Sequence, residues 1–587
     1  MKPFLLLAAL AAAPPQETLP AFSDRPVAPV CREAADLMRQ GYVAASDALL
    51  AKAVDAAKAC IAAGGGSDGL IIRAEAQYAL RLPDAAIADL TAALKLTPFS
   101  GIARFDRGLI YLQTRNYAGA VEDFTAAIEV NPEDFDARFE RGWAYELQGK
   151  FDLAVADLSA VVAKFPLFEP AWRLRGLSHA GLGEWDKAIA DDSKAIDLDS
   201  TDDDAYFNRG LARAARGLHQ DAADDFSLLL SRNPSDAGAF YQRGRSRQAL
   251  GELDGAIADF TSSIALAPDS AAYNDRGVAR EKTGDAAGAL ADYAAAAALD
   301  PDDRTALQNH AELALQQDNY PQALADSDRL LGADPKSATA LFLRARAHWG
   351  QRDCAKAVAD FSALIALTPT FADAYHDRGL CRWQLRQLDD AIDDFTKALT
   401  LSPNDADAVF ARGQVRRMKG EDDLALADVN QAIALAPREG RYWTERGMLK
   451  DALGDTAGAI GDFDSALALA PDDAAALNGA CWARGVANRE LSTALDQCRR
   501  AVSLTPNSAN RLDSLGFVQF RLSDFAAALA SFDAALGLQP KLAGTLFMRG
   551  IVKLRLGRTA DGAADLAAAA ALDPQVSGIY QRYGVTP

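Results

Sequence analysis

Proline recurs along this chain at a nearly constant interval. Fourteen prolines lie 33 to 35 residues apart, except for one interval of 68 that has Ser200 at its midpoint. They are Pro98, Pro132, Pro166, Pro234, Pro268, Pro301, Pro335, Pro369, Pro403, Pro437, Pro471, Pro506, Pro540 and Pro574. A fixed period of this length indicates an array of similar units rather than a series of globular domains. The pattern predicts about 15 units between Ser67 and Pro574.

The units share further residues at fixed distances from their proline. Arg-Gly precedes it by 25 and 24 residues, Ala by 12 and often an aromatic residue by 8, as in Arg107-Gly108, Ala120 and Phe124. Each unit thus holds two amphipathic segments of about 13 residues, separated by Gly or polar turns. The Gly and the Ala would let two helices pack closely, and the proline would end the second helix. Because no unit can bury its apolar stripe alone, the units must stack.

In this period and this arrangement of small and large residues, the chain resembles the tetratricopeptide repeat family. The resemblance implies an all-α fold: an α-solenoid of tandem helix-turn-helix units forming a right-handed superhelix, with the first helix of each unit on the concave wall. We expect the array over residues 67–574, after a linker and an atypical capping helical hairpin over residues 21–66. Residues 575–587 would add a short helical stub, with Tyr580 and Tyr583 over the last hairpin.

The first residues have the pattern of a secretory signal peptide. Lys2 precedes an apolar run from Phe4 to Ala13, which ends in an A-x-A pattern and is too short to span a bilayer. We therefore expect a signal peptide over residues 1–20, without a fixed cleavage site. No later apolar run is long enough for a transmembrane helix. The interpretation is a soluble exported protein, in the bacterial periplasm; an apolar start to a cytosolic protein is the alternative.

The net charge is strongly negative. The formal charge is -20 and the isoelectric point is about 4.8. Such a surface repels nucleic acid and anionic lipid, so neither is an expected partner.

The six cysteines form three pairs of sequence neighbours. An even number behind a signal peptide favours disulfides, and the repeat register suggests the pairs Cys31–Cys60, Cys354–Cys381 and Cys481–Cys498. Cys481 stands where other units have the Arg and Cys498 where they have the aromatic residue, on facing helices of one hairpin. Buried free cysteines are the alternative. A metal site is disfavoured, because no pair has the close spacing of zinc ligands.

A second recurring pair is charged. The Arg before Gly recurs in most units, and so does an Asp nine residues before the proline, as in Arg107 and Asp123. On facing helices these residues could form a ladder of ion pairs along the stack. A feature of nearly every unit marks no particular site, so we interpret it as structural.

Motifs of catalysis are weak or absent. GGGSDG at residues 64–69 matches the G-x-G-x-x-G pattern of dinucleotide-binding sites. No predicted strand precedes it, so we interpret it as a loop between hairpins. DLDSTDDD at residues 197–204 lacks the Gly and distal Glu of a calcium loop and reads as a solvated turn. The five histidines all lie within repeats. We therefore expect no enzyme activity, no cofactor and no metal.

The resemblance places four positions of each first helix on a binding groove: positions 2, 5, 9 and 12, counted so that the proline is position 32. Aromatic residues and Arg commonly anchor partners. The richest set comprises Phe342, Arg346, Trp349, His376 and Trp383, and Phe139 and Trp143 form a second set. Other candidates at these positions are Phe105, Phe207, Tyr241, Phe410, Phe517 and Phe547. Packing between helices is the alternative for each of them.

These residues favour recognition over chemistry. We expect a non-catalytic protein- or peptide-binding scaffold or adaptor of the bacterial cell envelope that uses the concave groove. A chaperone-like envelope assembly factor holding many clients is one alternative, and a regulatory subunit of an enzyme partner is another. The expected partner is a protein or peptide of unknown identity, and the sequence fixes no oligomeric state. The carboxylate clamp of chaperone-binding tetratricopeptide domains is not matched, because position 9 carries Leu109, Trp143, Leu177 and Leu211 rather than its Asn.

Overall fold

The chain is helical from end to end in the part that the structure, a computed structural model, describes: residues 27–586. No strand occurs among these residues. Two compact parts divide the chain, Met1–Ala306 and Leu307–Pro587. The predicted signal peptide over residues 1–20 lies outside the described residues.

Consecutive helices pair into antiparallel hairpins in both parts. The first part contains α1 (Arg32–Val43), α2 (Asp47–Cys60), α3 (Gly66–Ala79), α4 (Pro83–Leu96), α5 (Gly101–Gln113), α6 (Tyr117–Val130), α7 (Phe135–Leu147), α8 (Phe151–Lys164), α9 (Glu169–Gly181), α10 (Trp185–Leu198), α11 (Asp203–Ala215), α12 (His219–Arg232), α13 (Ala237–Leu250), α14 (Leu253–Leu266), α15 (Ser270–Thr283) and α16 (Ala286–Leu299).

The boundary falls within α17, and the hairpins continue beyond it. The remaining helices are α17 (Arg304–Gln316), α18 (Tyr320–Ala333), α19 (Ala338–Gly350), α20 (Cys354–Leu367), α21 (Ala372–Gln384), α22 (Leu388–Leu401), α23 (Ala406–Met418), α24 (Asp422–Leu435), α25 (Gly440–Ala452), α26 (Thr456–Leu469), α27 (Ala474–Ala487), α28 (Leu491–Leu504), α29 (Ala509–Arg521), α30 (Phe525–Leu538), α31 (Ala543–Arg555), α32 (Thr559–Leu572) and α33 (Val576–Arg582). We number hairpins 1 to 15 from α3–α4 to α31–α32.

Eleven of the fifteen hairpins have a glycine at position 8, where the two helices are in close contact. In hairpin 2, a Cβ at Gly108 would lie 2.7 Å from the Phe124 ring, and in hairpin 12 a Cβ at Gly447 would lie 2.7 Å from the Phe463 ring. The missing side chain therefore makes room for the aromatic residue of the second helix. Ala120, at position 20, is fully buried beside this contact. The repeated Gly, Ala and aromatic residue thus form one packing unit.

The predicted Arg–Asp ladder is confirmed. In twelve hairpins the Arg at position 7 donates from Nε to the Asp at position 23 over 2.7–3.1 Å. In Arg107 the pair with Asp123 is bidentate, and Nη1 also donates to Thr91 of the preceding hairpin. One buried guanidinium therefore both closes its own hairpin and joins it to the previous one, with geometry that favours Arg over Lys.

The segment GGGSDG, at residues 64–69, lies where the N-terminal hairpin, α1–α2, meets hairpin 1. Cys31 and Cys60 lie side by side at disulfide-bonding distance, with Cα atoms 5.0 Å apart. A Cβ at Gly65 would overlap both sulfur atoms, so only glycine fits over the pair. Asp68 accepts a hydrogen bond from the Ala28 backbone N–H over 2.8 Å. The glycines here serve packing, and the motif lies between two hairpins as expected. It is helical rather than a loop, because Ile61–Gly65 form a π-helical turn and Gly66–Gly69 form the first turn of α3.

Candidate functional site

The groove face, defined as positions 2, 5, 9 and 12 of the first helices, is partly used for packing. At position 5 an aromatic ring or imidazole lies against the aromatic ring at position 24 of its own hairpin. These ring pairs are Phe105–Phe124, Phe207–Phe226, Tyr241–Phe260, Phe342–Phe361 and His376–Phe395, with centroids 5.6–6.2 Å apart. All five position-5 side chains remain half-buried. One side of each ring therefore stabilises the hairpin and the other faces outwards.

Three of the predicted groove residues are instead buried, which corrects their assignment to an open surface. Phe410 is 7% exposed, Phe517 is fully buried and Phe547 is 3% exposed. Phe410 packs against Tyr442 with ring centroids 4.5 Å apart. Phe517 and Phe547 both contact Tyr580, which covers them. At these three positions a neighbouring aromatic side chain occupies the space in front of the ring.

The richest predicted set is brought together on α19 and α21, in hairpins 9 and 10. We call Phe342, Arg346, Trp349, His376 and Trp383 the aromatic patch. Arg346 is exposed, and its guanidinium carbon lies 5.6 Å from the centre of the Phe342 ring. The two indoles occupy position 12 of successive hairpins, and both are half-buried.

Three members of the aromatic patch are fixed by contacts with neighbouring side chains. The edge of the Phe342 ring meets Phe371 at a centroid distance of 5.3 Å. The Trp383 indole N–H donates to the Met418 sulfur over 3.0 Å. His376 Nδ1 lies 3.1 Å from Asp405 Oδ2, at the N-terminus of the next hairpin. Rings fixed in this way lose little conformational freedom when a partner binds.

Carboxyl groups set the electrostatics of the aromatic patch. Burial lowers the pKa of His376, but the hydrogen bond and charge of Asp405 outweigh burial and raise it overall. Burial raises the pKa of Asp377, opposed by the nearby charges of Arg346 and His376. The patch therefore combines an exposed guanidinium and an imidazole that favours its cation with a half-buried acid. Such a surface can hold an apolar side chain between the indoles and an acceptor on Arg346.

The second predicted set lies on α7. Phe139 packs edge-on against Phe168 with centroids 5.2 Å apart, and Trp143 is half-buried beside the core of hairpin 2. The same helix carries two acids that the sequence analysis missed. Burial, with a smaller contribution from Asp136, raises the pKa of Glu140 to about 8, and burial raises the pKa of Glu146 to about 7. The sequence did carry a signal for both acids, because Glu140 and Glu146 stand at positions 6 and 12 of a first helix.

A buried acid in hairpin 4 was also missed. Arg173 stands at position 5 and Asp192 at position 24, where other hairpins pair two rings. Asp192 is 1% exposed, and burial raises its pKa well above the ordinary value. Arg173 instead pairs with Asp202 over 2.9 Å. Asp202 is also the N-cap of α11, in the segment interpreted as a solvated turn, most of which is exposed.

The cysteines follow two of the three expected pairings. Cys481 and Cys498 lie at disulfide-bonding distance with Cα atoms 5.4 Å apart, as Cys31 and Cys60 do. Cys354 and Cys381 are buried free thiols, so the third bridge is not formed in this structure. The Cys354 thiol donates to Gln384 Oε1 over 3.0 Å, and burial together with the neighbouring Cys354 raises the pKa of Cys381. The two thiols are therefore neighbours that remain unbonded.

Within residues 27–586, no group of three or more His, Cys, Asp or Glu side chains is arranged to hold a metal ion. In the same residues, no helix combines the length and the apolar character needed to cross a membrane. Three histidines contact carboxylates: His179 with Glu184, His310 with Asp326 and His376 with Asp405.

Comparison with known proteins agrees with the hairpin architecture. A tetratricopeptide repeat family model matches residues 73–127, 106–167, 148–203, 173–237, 241–304, 309–372 and 515–577. A second tetratricopeptide repeat model matches residues 343–416. These matches cover more than half of the chain, which therefore belongs to the tetratricopeptide repeat family. A search of curated proteins gave no match.

Solved structures supply more distant similarities. The APC/C hetero-tetramer Cut9-Hcn1 matches at 17% identity over 83% of this chain and 96% of that chain, with a TM-score of 0.36. A tetratricopeptide repeat protein from Parabacteroides merdae matches at 19% identity over 42% and 98%, with a TM-score of 0.35. Naa15/Naa10 bound to HypK-THB matches at 14% identity over 94% and 100%, with a TM-score of 0.32. The family assignment rests on the repeat matches.

Proposed function

We propose that this chain is a non-catalytic scaffold or adaptor of the bacterial cell envelope that binds a protein or peptide on its groove face. The observation that carries the proposal is the aromatic patch of hairpins 9 and 10. Two indoles, a phenyl ring, an imidazole and an exposed guanidinium lie on two adjacent first helices. These side-chain types dominate the binding energy of protein interfaces.

The partner segment would lie across α19 and α21. Its apolar side chains would pack between Trp349 and Trp383, which occupy the same position in successive hairpins. Arg346 would donate to a carboxylate or a backbone carbonyl of the segment. Family membership supports this mode, because a stack of hairpins offers a preformed extended surface.

The non-catalytic role is supported by how the chain uses its reactive groups. Burial raises the pKa of the Cys381 thiol, which works against a reactive thiolate.

The envelope location is supported by the two cysteine pairs. Both are buried and at bonding distance, and structural disulfides persist in oxidising compartments such as the periplasm. Unreduced protein prepared from its native compartment should yield linked peptides for Cys31–Cys60 and Cys481–Cys498 on mass analysis. Free thiols at both pairs would contradict the location and the disulfides together.

The binding proposal is tested on the aromatic patch. The variant carrying Trp349→Ala and Trp383→Ala should lose its crosslinked partner in a pull-down while its circular dichroism stays unchanged. The matched control carries Trp172→Ala and Trp443→Ala. In the native chain those indole N–H groups donate to Pro166 and Pro437 carbonyls, at positions outside the groove face. Partner recovery equal in both variants would remove the aromatic patch as the site.

A further inference from the structure

The last helix leaves the path of the repeats. A regular array would place another first helix after Pro574, yet α33 ends after seven residues, at Arg582. The Tyr580 ring stacks on Phe547 of α31 at 5.2 Å and approaches Phe517 of α29 at 6.0 Å. The Tyr583 ring reaches Trp482 of α27 at 6.0 Å. This one segment therefore contacts the first helices of hairpins 13, 14 and 15.

Two of the three rings that it contacts stand at groove positions, and the third, Trp482, stands at position 8. Phe547 stands at position 5 and Phe517 at position 9, the positions whose counterparts are half exposed in the aromatic patch. Val576, Tyr580 and Val585 are at most 5% exposed. The segment Val576–Val585, which we call the tail, thus covers groove positions of hairpins 14 and 15 and contacts Trp482 in hairpin 13.

Arg521 binds the backbone of the tail, and Arg555 binds the residue that follows it. Arg521 Nη2 donates to the Tyr583 carbonyl, and Arg555 Nη2 donates to the Thr586 carbonyl over 3.4 Å. The Arg521 guanidinium also lies 5.1 Å from the centre of the Phe517 ring. Among the described residues Arg521 forms no ion pair with a carboxylate, unlike the Arg at position 7 of the ladder hairpins, and burial lowers its pKa. Its N–H groups donate to backbone carbonyls, as they would to the backbone of a bound peptide.

The tail depends on tertiary contacts for its order. A single helix of seven residues is marginal by itself, so its order depends on the side chains that it inserts. Tyr580 and Tyr583 lie on one face of the helix, since residues three apart are neighbours on a helix surface. A second segment with the same spacing of rings would make the same contacts.

We propose that the tail is an intramolecular ligand that covers a second binding site, lined by Trp482, Phe517, Arg521 and Phe547. The occupant that replaces it is a partner segment with two aromatic side chains three residues apart. Its rings enter the places of Tyr580 and Tyr583, and its backbone carbonyls accept from Arg521. This site shares no residue with the aromatic patch of hairpins 9 and 10, so either proposal can fail alone.

The test uses the full chain and a fluorescent synthetic peptide of residues 574–587. The variant carrying Tyr580→Ala and Tyr583→Ala should bind the peptide at least tenfold more tightly than the wild-type chain, whose site is occupied. A peptide with both tyrosines replaced by alanine should not bind. Adding Trp482→Ala to the variant should weaken binding again. Equal peptide binding by the wild-type chain and a folded variant, or binding by neither, overturns the proposal.

If the variant does not fold, hydrogen exchange on the wild-type chain tests whether the tail can be displaced. The Val585 N–H donates to the Tyr580 carbonyl over 3.0 Å within the tail. A displaceable tail should exchange this amide at least 100-fold faster than the amides in the middle of α31 and α32. Exchange of the tail at the rate of those helices would make it a fixed cap and overturn the proposal.

Discussion

Hairpins 3 and 13 have the same backbone design but are held together by different contacts. In hairpin 3, Arg141 pairs with Asp157 through two hydrogen bonds of 2.7 Å and also donates to Thr125 of the preceding hairpin. In hairpin 13 the same two positions carry Cys481 and Gln497. Cys481 instead faces Cys498, with Cα atoms 5.4 Å apart.

The contact to the preceding hairpin is rebuilt by another arginine. Arg484, three residues after Cys481, donates to both oxygens of Asp464 in hairpin 12 and to Glu490 in its own loop. In hairpin 3 one guanidinium closes the hairpin and joins it to its neighbour, whereas hairpin 13 divides these tasks between a cysteine pair and Arg484. The comparison shows that more than one set of residues can supply these two contacts.

The residue at position 8 also depends on the side chain that it faces across the hairpin. A small residue stands at position 8 where an aromatic ring stands at position 24, as Gly108 does beside Phe124 and Ala345 does in the hairpin of Phe361. Hairpin 13 has Cys498 at position 24, so position 8 can carry Trp482. That indole packs against Phe517 with ring centroids 5.0 Å apart. Because Cys498 is smaller than an aromatic ring, position 8 has room for the Trp482 indole. This indole forms part of the surface that the tail covers.

Breaking the ladder in hairpin 3 should have the largest effect. Arg141→Met leaves Asp157 buried, with only Arg138 at 3.7 Å to compensate. We expect a loss of about 3 kcal/mol in the free energy of unfolding of this region, the lower end for a broken buried ion pair. Hydrogen exchange in α8 measures it. The control is Lys164→Met, because that pair with Glu133 is exposed and should contribute little. A loss no larger than the control's would show that the ladder is not stabilising.

Breaking the cysteine pair of hairpin 13 should come second. Replacing Cys481 and Cys498 by alanine should cost about 2 kcal/mol, because a bridge over a separation of 17 residues restricts the unfolded chain. Thermal unfolding with and without reductant measures the effect. Reductant should destabilise the wild-type chain through both pairs and this variant only through Cys31–Cys60, so the shift in melting temperature should be smaller in the variant. The variant carrying Cys354→Ala and Cys381→Ala provides the contrast: it should remain sensitive to reductant, since its two changed positions are free thiols. Insensitivity of the wild-type chain would contradict the bridges.

The sequence predicted the array because each hairpin repeats one local packing rule. The prolines, Arg-Gly pairs and Asp residues located the helices, the ladder and the facing positions of Cys481 and Cys498. The sequence did not predict the contacts in which a side chain of one hairpin fills the space beside another hairpin. Phe410 is buried because Tyr442 of the next hairpin covers it. Tyr583 lies on Trp482, about 100 residues away in sequence, and no period of 34 predicts that contact.

Hairpins 3 and 13 also differ at position 6, where Glu140 corresponds to the buried Ala480. Burial, with Asp136 nearby, raises the pKa of Glu140 from 4.5 to about 8. Between these values the unfolded chain loses the proton while the folded chain keeps it, so the free energy of unfolding falls as pH rises. Glu140→Gln should therefore stabilise the chain at pH 8 by at least about 1.4 kcal/mol, the equivalent of one pKa unit, and change little at pH 4.

Melting temperatures of this variant and the wild-type chain across that range give the measurement. Glu133→Gln, at an exposed position of the preceding loop, controls for the loss of one carboxylate. A difference between Glu140→Gln and wild type that is the same at pH 4 and pH 8 would show that Glu140 does not hold its proton in the folded chain.

Removing Arg484 should have the smallest effect. The arginine is buried, but Asp464 and Glu490 are about half exposed, so solvent weakens both pairs. In a double-mutant cycle with Arg484→Met and Asp464→Asn, the coupling should be below about 1 kcal/mol and should shrink as salt is added. The corresponding cycle for Arg141 and Asp157 should give a larger coupling that salt hardly changes. Equal couplings would mean that the substitute in hairpin 13 is as strong as the ladder that it replaces.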